Sequence, residues 1–279
     1  MTLSEDVKPP ANGGTPKPEL ALRVAAAAVL APVVLLGAWA GGIWFALLVA
    51  IVIGVGGHEW SRLCHIDRPL SVALLIATGP ILAIALVTSG IAASLLVFVL
   101  AVVFAIGGRD SANRLWTLAG IVYIAVPTAA ILILRFDPRL GLETLFFLFG
   151  VVWLTDMGAY AFGRVIGGPR LAPSISPGKT WAGAIGGLSL AVAGAYGAAG
   201  FMTTQLPFGA VVLAIILSIA TQCGDLFESW IKRRFNKKDS GTIIPGHGGI
   251  LDRIDGLLIA APVMAAIIIA QRGAAPLWP

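Results

Sequence analysis

The sequence predicts an all-α polytopic integral membrane protein of about nine transmembrane helices, with eight as the alternative count. Of its 279 residues, 58% are hydrophobic and only 12% are charged, whereas a soluble domain carries about 25% charged residues. The apolar residues also fall into blocks of about 17–22, the length that crosses a bilayer core as a helix. The blocks lie at 20–40, 42–57, 70–88, 91–107, 115–134, 142–161, 181–202, 208–227 and 256–270.

The blocks divide the chain into a tail and two membrane regions. Residues 1–20 are rich in Pro, Gly, Lys and Glu and are predicted to form a disordered cytoplasmic tail. Residues 21–140 are predicted to form an N-terminal membrane region of about five helices, and residues 141–279 a C-terminal catalytic region of about four. The first block lies late for a cleaved signal peptide, so we expect a retained span. Eight spans remain the alternative because the second, fourth and ninth blocks are short.

Basic residues are distributed unevenly between the loops. With the N terminus in the cytoplasm, sixteen Lys and Arg residues fall in inside segments and only Arg135, Arg139 and Arg272 fall outside. The positive-inside rule therefore predicts a multi-pass protein of the inner, cytoplasmic membrane. The long polar loops 162–180 and 228–255 would face the cytoplasm and form the active site. The net charge of +5 is explained by this topology and by anionic headgroups, without nucleic-acid binding.

A GxxxG pattern in the seventh block raises the question of oligomerisation. Gly183 and Gly187 are spaced so that two helices can approach closely. The pattern serves either packing within one chain or the contact of a homodimer, and the sequence leaves both open.

Four carboxylates lie beside the most polar loop of the chain, between 224 and 256. Asp225 and Glu228 share one helix face because they are three residues apart, and Asp252 and Asp255 repeat that spacing at the entry to the ninth span. Each pair alone could be an ordinary helix-end charge. Two acidic helix ends beside one basic loop would instead form a divalent cation site. Oxygen ligands without a His or Cys cluster favour Mg²⁺ or Mn²⁺.

The loop between these carboxylates combines cations with glycines. Lys232, Arg233 and Lys238 are explained either by anchoring at the headgroups or by phosphate binding. The glycines at 246, 248 and 249 favour the second explanation, because glycine lets backbone N–H groups approach phosphate oxygens. His247, between them, would bind phosphate, act as an acid or base, or brace the turn.

The other polar loop also carries phosphate-binding residue types. Asp156 and Tyr160 lie one turn apart at the end of the sixth span, and Ser176, Lys179 and Thr180 follow. The GKT triplet is not a P-loop, because Pro173 occupies the position of the first glycine. A Ser/Lys/Thr-rich turn at a helix start can still hold phosphate through N–H groups and one Lys.

One carboxylate in the N-terminal half is less easily assigned. His58-Glu59 at the inner end of the second span is not a zinc motif, because Arg62 replaces the second His of HExxH. Glu59 either reaches the active site or is a simple helix-end charge, and the sequence leaves both open.

From Ser229 to Asp255 the chain resembles the signature of the phosphatidate cytidylyltransferase family, also called CDP-diacylglycerol synthase. Every constrained position of the pattern is met across these 27 residues. The segments that carry the resemblance are Ser229–Arg233, Lys238-Asp239 and His247–Asp255, with further similarity at Gly224–Ser229, Asp156 with Tyr160, Gly163-Arg164 and Ser176–Thr180.

The resemblance implies that the protein transfers the cytidylyl group of CTP to phosphatidate, giving CDP-diacylglycerol and pyrophosphate for phospholipid biosynthesis. It implies Mg²⁺ or Mn²⁺, with K⁺ as a second cation. The implied catalytic residues are Asp225, Lys232, Lys238, His247 and Asp252. The implied metal ligands are Asp225, Glu228, Asp252 and Asp255. The implied substrate-binding residues are Asp156, Tyr160, Ser176, Lys179, Thr180, Ser229, Arg233, Gly248, Gly249 and Arg253.

Two alternatives use the same features differently. A CTP-dependent polyprenol- or phytol-type lipid kinase would also need CTP, Mg²⁺ and a lipid, but would move the γ-phosphate. A polytopic transporter would also carry buried carboxylates. A transporter favours acids in mid-span, whereas the acids here cluster at cytoplasmic helix ends.

Overall fold

A computed structural model describes residues 17–107, 111–201, 207–243 and 248–271, with side chains at all of them except 17–27, 111, 112, 199–201 and 207. Most of the predicted tail, residues 1–16, and His247 lie outside the described residues. The elements are α1 (Lys17–Ala40), α2 (Gly42–Leu63), α3 (Pro69–Gly107), α4 (Ser111–Arg135), α5 (Gly141–Val165), β1 (Arg170–Ala172), β2 (Ser176–Thr180), α6 (Trp181–Phe201), α7 (Pro207–Arg234) and α8 (Leu251–Ala270).

The helices have the length and apolar composition of membrane spans. Within the described residues, seven helices are long and apolar enough to cross a bilayer, and α1 adds a shorter apolar stretch at Ala28–Ala40. This confirms the prediction of an all-α, multi-pass membrane protein. The α7 helix, with 28 residues, is about 42 Å long and therefore exceeds the bilayer core of about 30 Å.

The longest helix, α3, is two crossings joined at Gly90. This glycine has φ 83° and ψ −172°, which breaks the helix. Gly120 packs against Leu75 and Gly79 against Ile124, so the first part of α3 runs parallel to α4. Since only three residues separate the end of α3 from the start of α4, the chain must reverse at Gly90. Within the described residues, the eight helices therefore supply nine apolar segments, the number of blocks in the sequence.

The α4 helix lies at the centre of the bundle and packs against α2, α3, α5 and α8. Its side chains Ile121, Ile124 and Leu132 are fully buried. At its N-terminal end, the main-chain oxygen of Trp116 accepts a hydrogen bond of 2.9 Å from Trp60 Nε1. This bond places the C-terminal end of α2 beside the start of α4, at the same end of the bundle as the polar loops.

The glycines of the GxxxG pattern bring α6 against α5. A Cβ atom added to Gly183 would lie 2.7 Å from the main-chain oxygen of Ala159, and one added to Gly187 would lie 2.6 Å from that of Thr155. Both glycines are therefore required for packing within the chain. The homodimer stays a prediction.

A short β-hairpin connects α5 to α6 at the polar end. Strands β1 and β2 are antiparallel, with Arg170 opposite Thr180 and Ala172 opposite Ser176. Thr180 Oγ1 accepts a 3.1 Å hydrogen bond from Gly183 N, which makes Thr180 the N-cap of α6. The sequence predicted only a turn here, and the hairpin additionally fixes the position of Lys179.

Candidate active site

A cavity of about 580 Å³ lies at the polar end of the bundle, within the range of about 300–1,000 Å³ typical of small-molecule sites. Its walls come from α5, the hairpin, α6, α7 and α8. Five carboxylates and four cationic side chains line it, so it is highly charged although it adjoins apolar spans. The charged residues are Asp156, Arg164, Lys179, Asp225, Lys232, Asp239, Asp252, Arg253 and Asp255.

Asp225 and Lys179 pair across the cavity. Asp225 is on α7, and one of its carboxylate oxygens forms an ion pair with Lys179 Nζ on β2. Both side chains remain partly accessible, with 36% and 25% of their side-chain surface exposed. The pair therefore faces the cavity and is available to an incoming ligand.

Lys232 on α7 forms ion pairs with two carboxylates, one on its own helix and one on α8. Its Nζ lies 3.0 Å from Glu228 Oε2, one turn earlier on α7, and 2.6 Å from Asp252 Oδ1 at the start of α8. Glu228 and Asp252 are almost fully buried. The ammonium group thus neutralises charge that is inaccessible to water and fixes the facing ends of the two helices.

The second oxygen of Asp252 is held by the loop before α8. Its Oδ2 accepts hydrogen bonds of 2.9 Å from Ser240 N, 2.9 Å from Ser240 Oγ and 2.8 Å from Gly249 N. Gly248 has φ 82° and lies against the same oxygen. These bonds leave Oδ1 as the oxygen of Asp252 that faces Lys232 and the cavity.

Glu228, on α7, lies behind the cavity, whereas Asp255, on α8, lines it. Glu228 is 1% exposed, and its Oε1 is buried without a hydrogen-bond partner in the described part of the chain. A buried carboxylate oxygen without a hydrogen bond is costly, so Glu228 Oε1 is a candidate to bind a proton or a cation.

The opposite wall comes from the end of α5. Asp156, Tyr160 and Arg164 line the cavity there, and Arg164 donates a 2.6 Å hydrogen bond to Tyr160 Oη. Arg253, on α8, also lines the cavity. The α5 wall therefore presents a carboxylate, a phenol and a guanidinium group to the cavity, and α8 adds a second guanidinium group.

Comparison with known proteins identifies the family. The model of the cytidylyltransferase family matches residues 21–270. The chain belongs to this family. It is 42% identical to the phosphatidate cytidylyltransferase of Brucella suis biovar 1 (strain 1330) over 254 residues, which cover 88% of this chain and 92% of the relative.

Two further relatives with the same name come from other bacteria. The phosphatidate cytidylyltransferase of Pseudomonas aeruginosa PAO1 is 33% identical over 269 residues, covering 91% of this chain and 98% of the relative. That of Staphylococcus haemolyticus (strain JCSC1435) is 48% identical over 130 residues, covering 46% and 50%. These matches confirm the family resemblance seen in the sequence, and they support neither the lipid-kinase nor the transporter alternative.

The structure brings most of the predicted site residues of this cytidylyltransferase together. Nine of them line the cavity: Asp156, Tyr160, Lys179, Thr180, Asp225, Lys232, Asp252, Arg253 and Asp255. Glu228 and the glycines at 248 and 249 lie directly behind it, bonded to or packed against residues that line it.

Four predicted site residues lie outside the cavity lining: Ser176, Ser229, Arg233 and Lys238. Arg233 instead donates hydrogen bonds of 3.2 Å to Ile175 O and 3.1 Å to Lys237 O. It thereby ties the end of α7 to the hairpin turn, which is a structural use of the guanidinium. The predicted substrate-binding roles of Ser176, Ser229 and Arg233 stay predictions. So do the predicted catalytic roles of Lys238 and His247.

Four polar or charged residues at the site were not among the predicted site residues: Arg164, Gln222, Asp239 and Ser240. The first and third lie in segments that carry the family resemblance. Ser240 organises Asp252, and Gln222 lines the cavity while its Nε2 donates a 3.3 Å hydrogen bond to Ala184 O. Gln222 could have been found as a polar residue inside an apolar block. Ser240 carries no such signal, because a Ser in a polar loop is ordinary.

The described side chains do not form a ready metal cage. Among residues that the structure describes, no three His, Cys, Asp or Glu groups converge as they would around a metal ion. Asp225 and Asp252 are each engaged by a lysine instead. The identity and ligands of a metal therefore stay predictions.

Proposed function

We propose that this member of the family transfers the cytidylyl group of CTP to phosphatidate, releasing pyrophosphate and CDP-diacylglycerol. The observation that carries the proposal is that two lysine–carboxylate pairs, Asp225 with Lys179 and Asp252 with Lys232, face one cavity beside the membrane spans. The name of the relatives supports the same reaction.

The reaction joins two anions, so charge neutralisation is its main requirement. A phosphatidate oxygen attacks the α-phosphorus of CTP; the new P–O bond forms as the bond from that phosphorus to the α,β-bridging oxygen breaks, and pyrophosphate leaves with the electron pair. Two unit charges 4 Å apart repel by about 4 kcal/mol at an effective dielectric of 20. Lys179, Lys232 and Arg253, which line the cavity, are placed to offset this repulsion and to orient the phosphates.

Because the lipid phosphate is already anionic near neutral pH, the chemistry needs no strong general base. Positioning and electrostatic stabilisation account for most of the catalysis of phosphoryl-type transfer. We assign Lys179 and the N-terminal turn of α6 to the lipid phosphate, and Lys232 to the triphosphate. Predicted contacts of Lys238 and His247 with phosphate belong to the same proposal.

The oxygen ligands present suit a divalent cation in type, although no three of the described carboxylates converge on one point. The cavity has one more carboxylate than cationic groups, which would repel a triphosphate that entered without a metal. The buried Glu228 Oε1 also has no hydrogen-bond partner among the described residues. We propose that Asp225, Asp252 and Asp255, with Glu228 behind them, hold Mg²⁺ or Mn²⁺, with K⁺ as a second cation. The divalent ion would neutralise charge on the triphosphate.

An apolar surface beside the cavity suits a lipid acceptor. The α5–α6 wall that includes Tyr160 and Gly183 carries exposed apolar side chains at Phe162, Val165 and Ile185. A diacylglycerol moiety could lie against this surface with its phosphate at Lys179. If the orientation follows the positive-inside rule, the cavity opens at the cytoplasmic face of the cell membrane. CTP would then reach it directly from the cytoplasm.

Labelled CTP tests the proposal directly. Purified protein in detergent is mixed with phosphatidate, Mg²⁺ and CTP labelled on either the α- or the γ-phosphate, and label in the lipid phase is counted. Lipid that carries α-label is the expected result. Lipid that carries only γ-label would indicate a lipid kinase. No label in the lipid from a well-folded sample would contradict transfer to phosphatidate.

A further inference from the structure

Glu59, in the N-terminal membrane region, binds the start of α8 through its carboxylate. It lies near the C-terminal end of α2 and is 2% exposed. Its Oε1 accepts a 2.9 Å hydrogen bond from Ile250 N, and its Oε2 accepts one of 2.9 Å from Leu251 N. These partners are 191 and 192 residues away in sequence. The carboxylate therefore caps the N-terminal end of α8 in place of a local side chain.

Ser240 connects this carboxylate to Asp252. Its Oγ lies 3.3 Å from Glu59 Oε2 and 2.9 Å from Asp252 Oδ2. The hydroxyl has one proton, so it donates to one carboxylate at a time, while it accepts from Asp252 N at 3.3 Å. A displacement of Glu59 would thus be transmitted to the side chain that bonds Lys232.

The glycines of the loop leave space for Glu59 and for little else. A Cβ atom on Gly249 would lie 2.6 Å from Glu59 Oε2, and one on Gly241 would lie 2.5 Å from Oε1. The sequence suggested that Gly249 is needed for phosphate contact. In the structure this glycine is needed so that the backbone can wrap around a carboxylate from another helix.

The charge of Glu59 is suited to this place. A buried carboxylate is costly unless hydrogen bonds compensate it, and Glu59 receives two backbone N–H groups from the start of a helix. The positive end of the helix dipole favours an anion there. An uncharged amide could accept only one of the two N–H bonds and would turn its own NH₂ group toward the other donor.

We propose that Glu59 is a positioning residue for the transfer reaction. It holds the first turn of α8 and the neighbouring Ser240 so that Asp252 keeps Oδ1 directed at Lys232 and the cavity. This inference rests on the proposed function for its effect on turnover, but its effect on the loop is independent of any activity. A purely fold-stabilising Glu59 would change the amount of folded protein and leave turnover per folded molecule unchanged.

The test compares Glu59→Gln with Glu143→Gln in the full-length protein in detergent. Glu143 is an exposed carboxylate in the first turn of α5, so it is a matched control. We expect Glu59→Gln to lower kcat per folded molecule by about 10²-fold, as misplacement by about 1 Å can do. The KM for phosphatidate should change little. Glu143→Gln should behave as the unsubstituted protein.

Hydrogen exchange provides a readout that does not need activity. Amide exchange of the segment 248–252 should be faster in Glu59→Gln than in the control, because two of its amides lose a charged acceptor. Ser240→Ala should also lower kcat. If both residues act through Asp252, the double variant should lose less than the sum of the two single effects on the activation free energy.

The possible failures are distinguishable. If the unsubstituted protein transfers no α-label to lipid, the proposed function fails, and the exchange experiment alone still decides whether Glu59 holds the loop. If the unsubstituted protein is active but Glu59→Gln has unchanged kcat per folded molecule, the positioning role is overturned. Unchanged exchange of 248–252 would overturn it as well.

Discussion

Replacing Asp225 or Asp252 with Asn should abolish transfer in both cases but should affect folding differently. Each substitution removes one carboxylate that faces the cavity and keeps the side-chain shape. The two residues differ in what supports them. Asp225 is 36% exposed at its side chain and is bonded to Lys179 on a short hairpin, whereas Asp252 is 6% exposed and joins α7, α8 and the loop between them.

The hydrogen bonds of Asp252 determine how much more its substitution should lower the free energy of unfolding than that of Asp225. In Asp252→Asn the amide can keep its oxygen for Ser240 and Gly249, but its NH₂ group would then face Lys232 Nζ, which lies 2.6 Å from Oδ1 in the unsubstituted protein. A hydrogen bond between charged groups contributes about 1.5–3 kcal/mol. An accessible ion pair such as Asp225 with Lys179 contributes only about 0.2–1 kcal/mol. Asp252→Asn should therefore lower the free energy of unfolding by about 1–2 kcal/mol more than Asp225→Asn.

The assay combines α-labelled CTP with denaturant unfolding in detergent, followed by tryptophan fluorescence. Asp67→Asn, which replaces an exposed carboxylate outside the cavity lining, is the control. We expect kcat to fall by at least about 10²-fold in both site variants and to be unchanged in the control. Normal turnover in either site variant would refute the role of that carboxylate. Equal unfolding free energies would refute the structural distinction between them.

Three further predictions use other features of the site. Gly249→Ala should lower both the free energy of unfolding and kcat, because the added Cβ would collide with Ser240 Oγ. Gly150→Ala, whose added Cβ would meet open space, should change neither quantity. Denaturant unfolding and label transfer measure the two quantities, and a Gly249→Ala variant with unchanged values would contradict the packing. Thr180→Ala should lower the free energy of unfolding by about 1 kcal/mol through loss of the α6 cap, and Thr180→Ser should restore it. Removal of divalent cations with EDTA should abolish transfer. Mg²⁺ or Mn²⁺ but not Zn²⁺ should restore it, because the candidate ligands are carboxylate oxygens. Full activity in EDTA would refute the metal proposal.

Hydropathy predicted the number of membrane-spanning segments, because every span must contain an apolar stretch long enough to cross the bilayer core. Even the break inside α3 was visible as a gap between two apolar blocks, although helix continues on both sides of Gly90. The hairpin of β1 and β2 was not predicted, since its strands are only three and five residues long. Pro173 and Ser174, which lie between the strands, indicate a turn and carry no signal for the pairing on either side.

The acidic and basic residues of the site were predictable as types, but their pairings were not. Spacing placed Asp225 with Glu228 and Asp252 with Asp255, yet Lys232 is the group that binds one member of each pair. Arg233, next in sequence, points to backbone oxygens instead. Helix periodicity indicates which residues share a face, whereas which cation meets which carboxylate depends on the packing of different helices.

The distance in sequence between Glu59 and α8 has a consequence for the order of assembly. Translation of the intervening 191 residues takes about 10–40 s at about 5–20 residues per second. During that interval α2 is already made, while the amides that will receive its carboxylate have not been synthesised. The Glu59 carboxylate therefore has neither of its two backbone donors until α8, the C-terminal helix of the described residues, has been made. A nascent chain released before α8 would lack both the amides that bind Glu59 and the three charged residues that α8 contributes to the cavity.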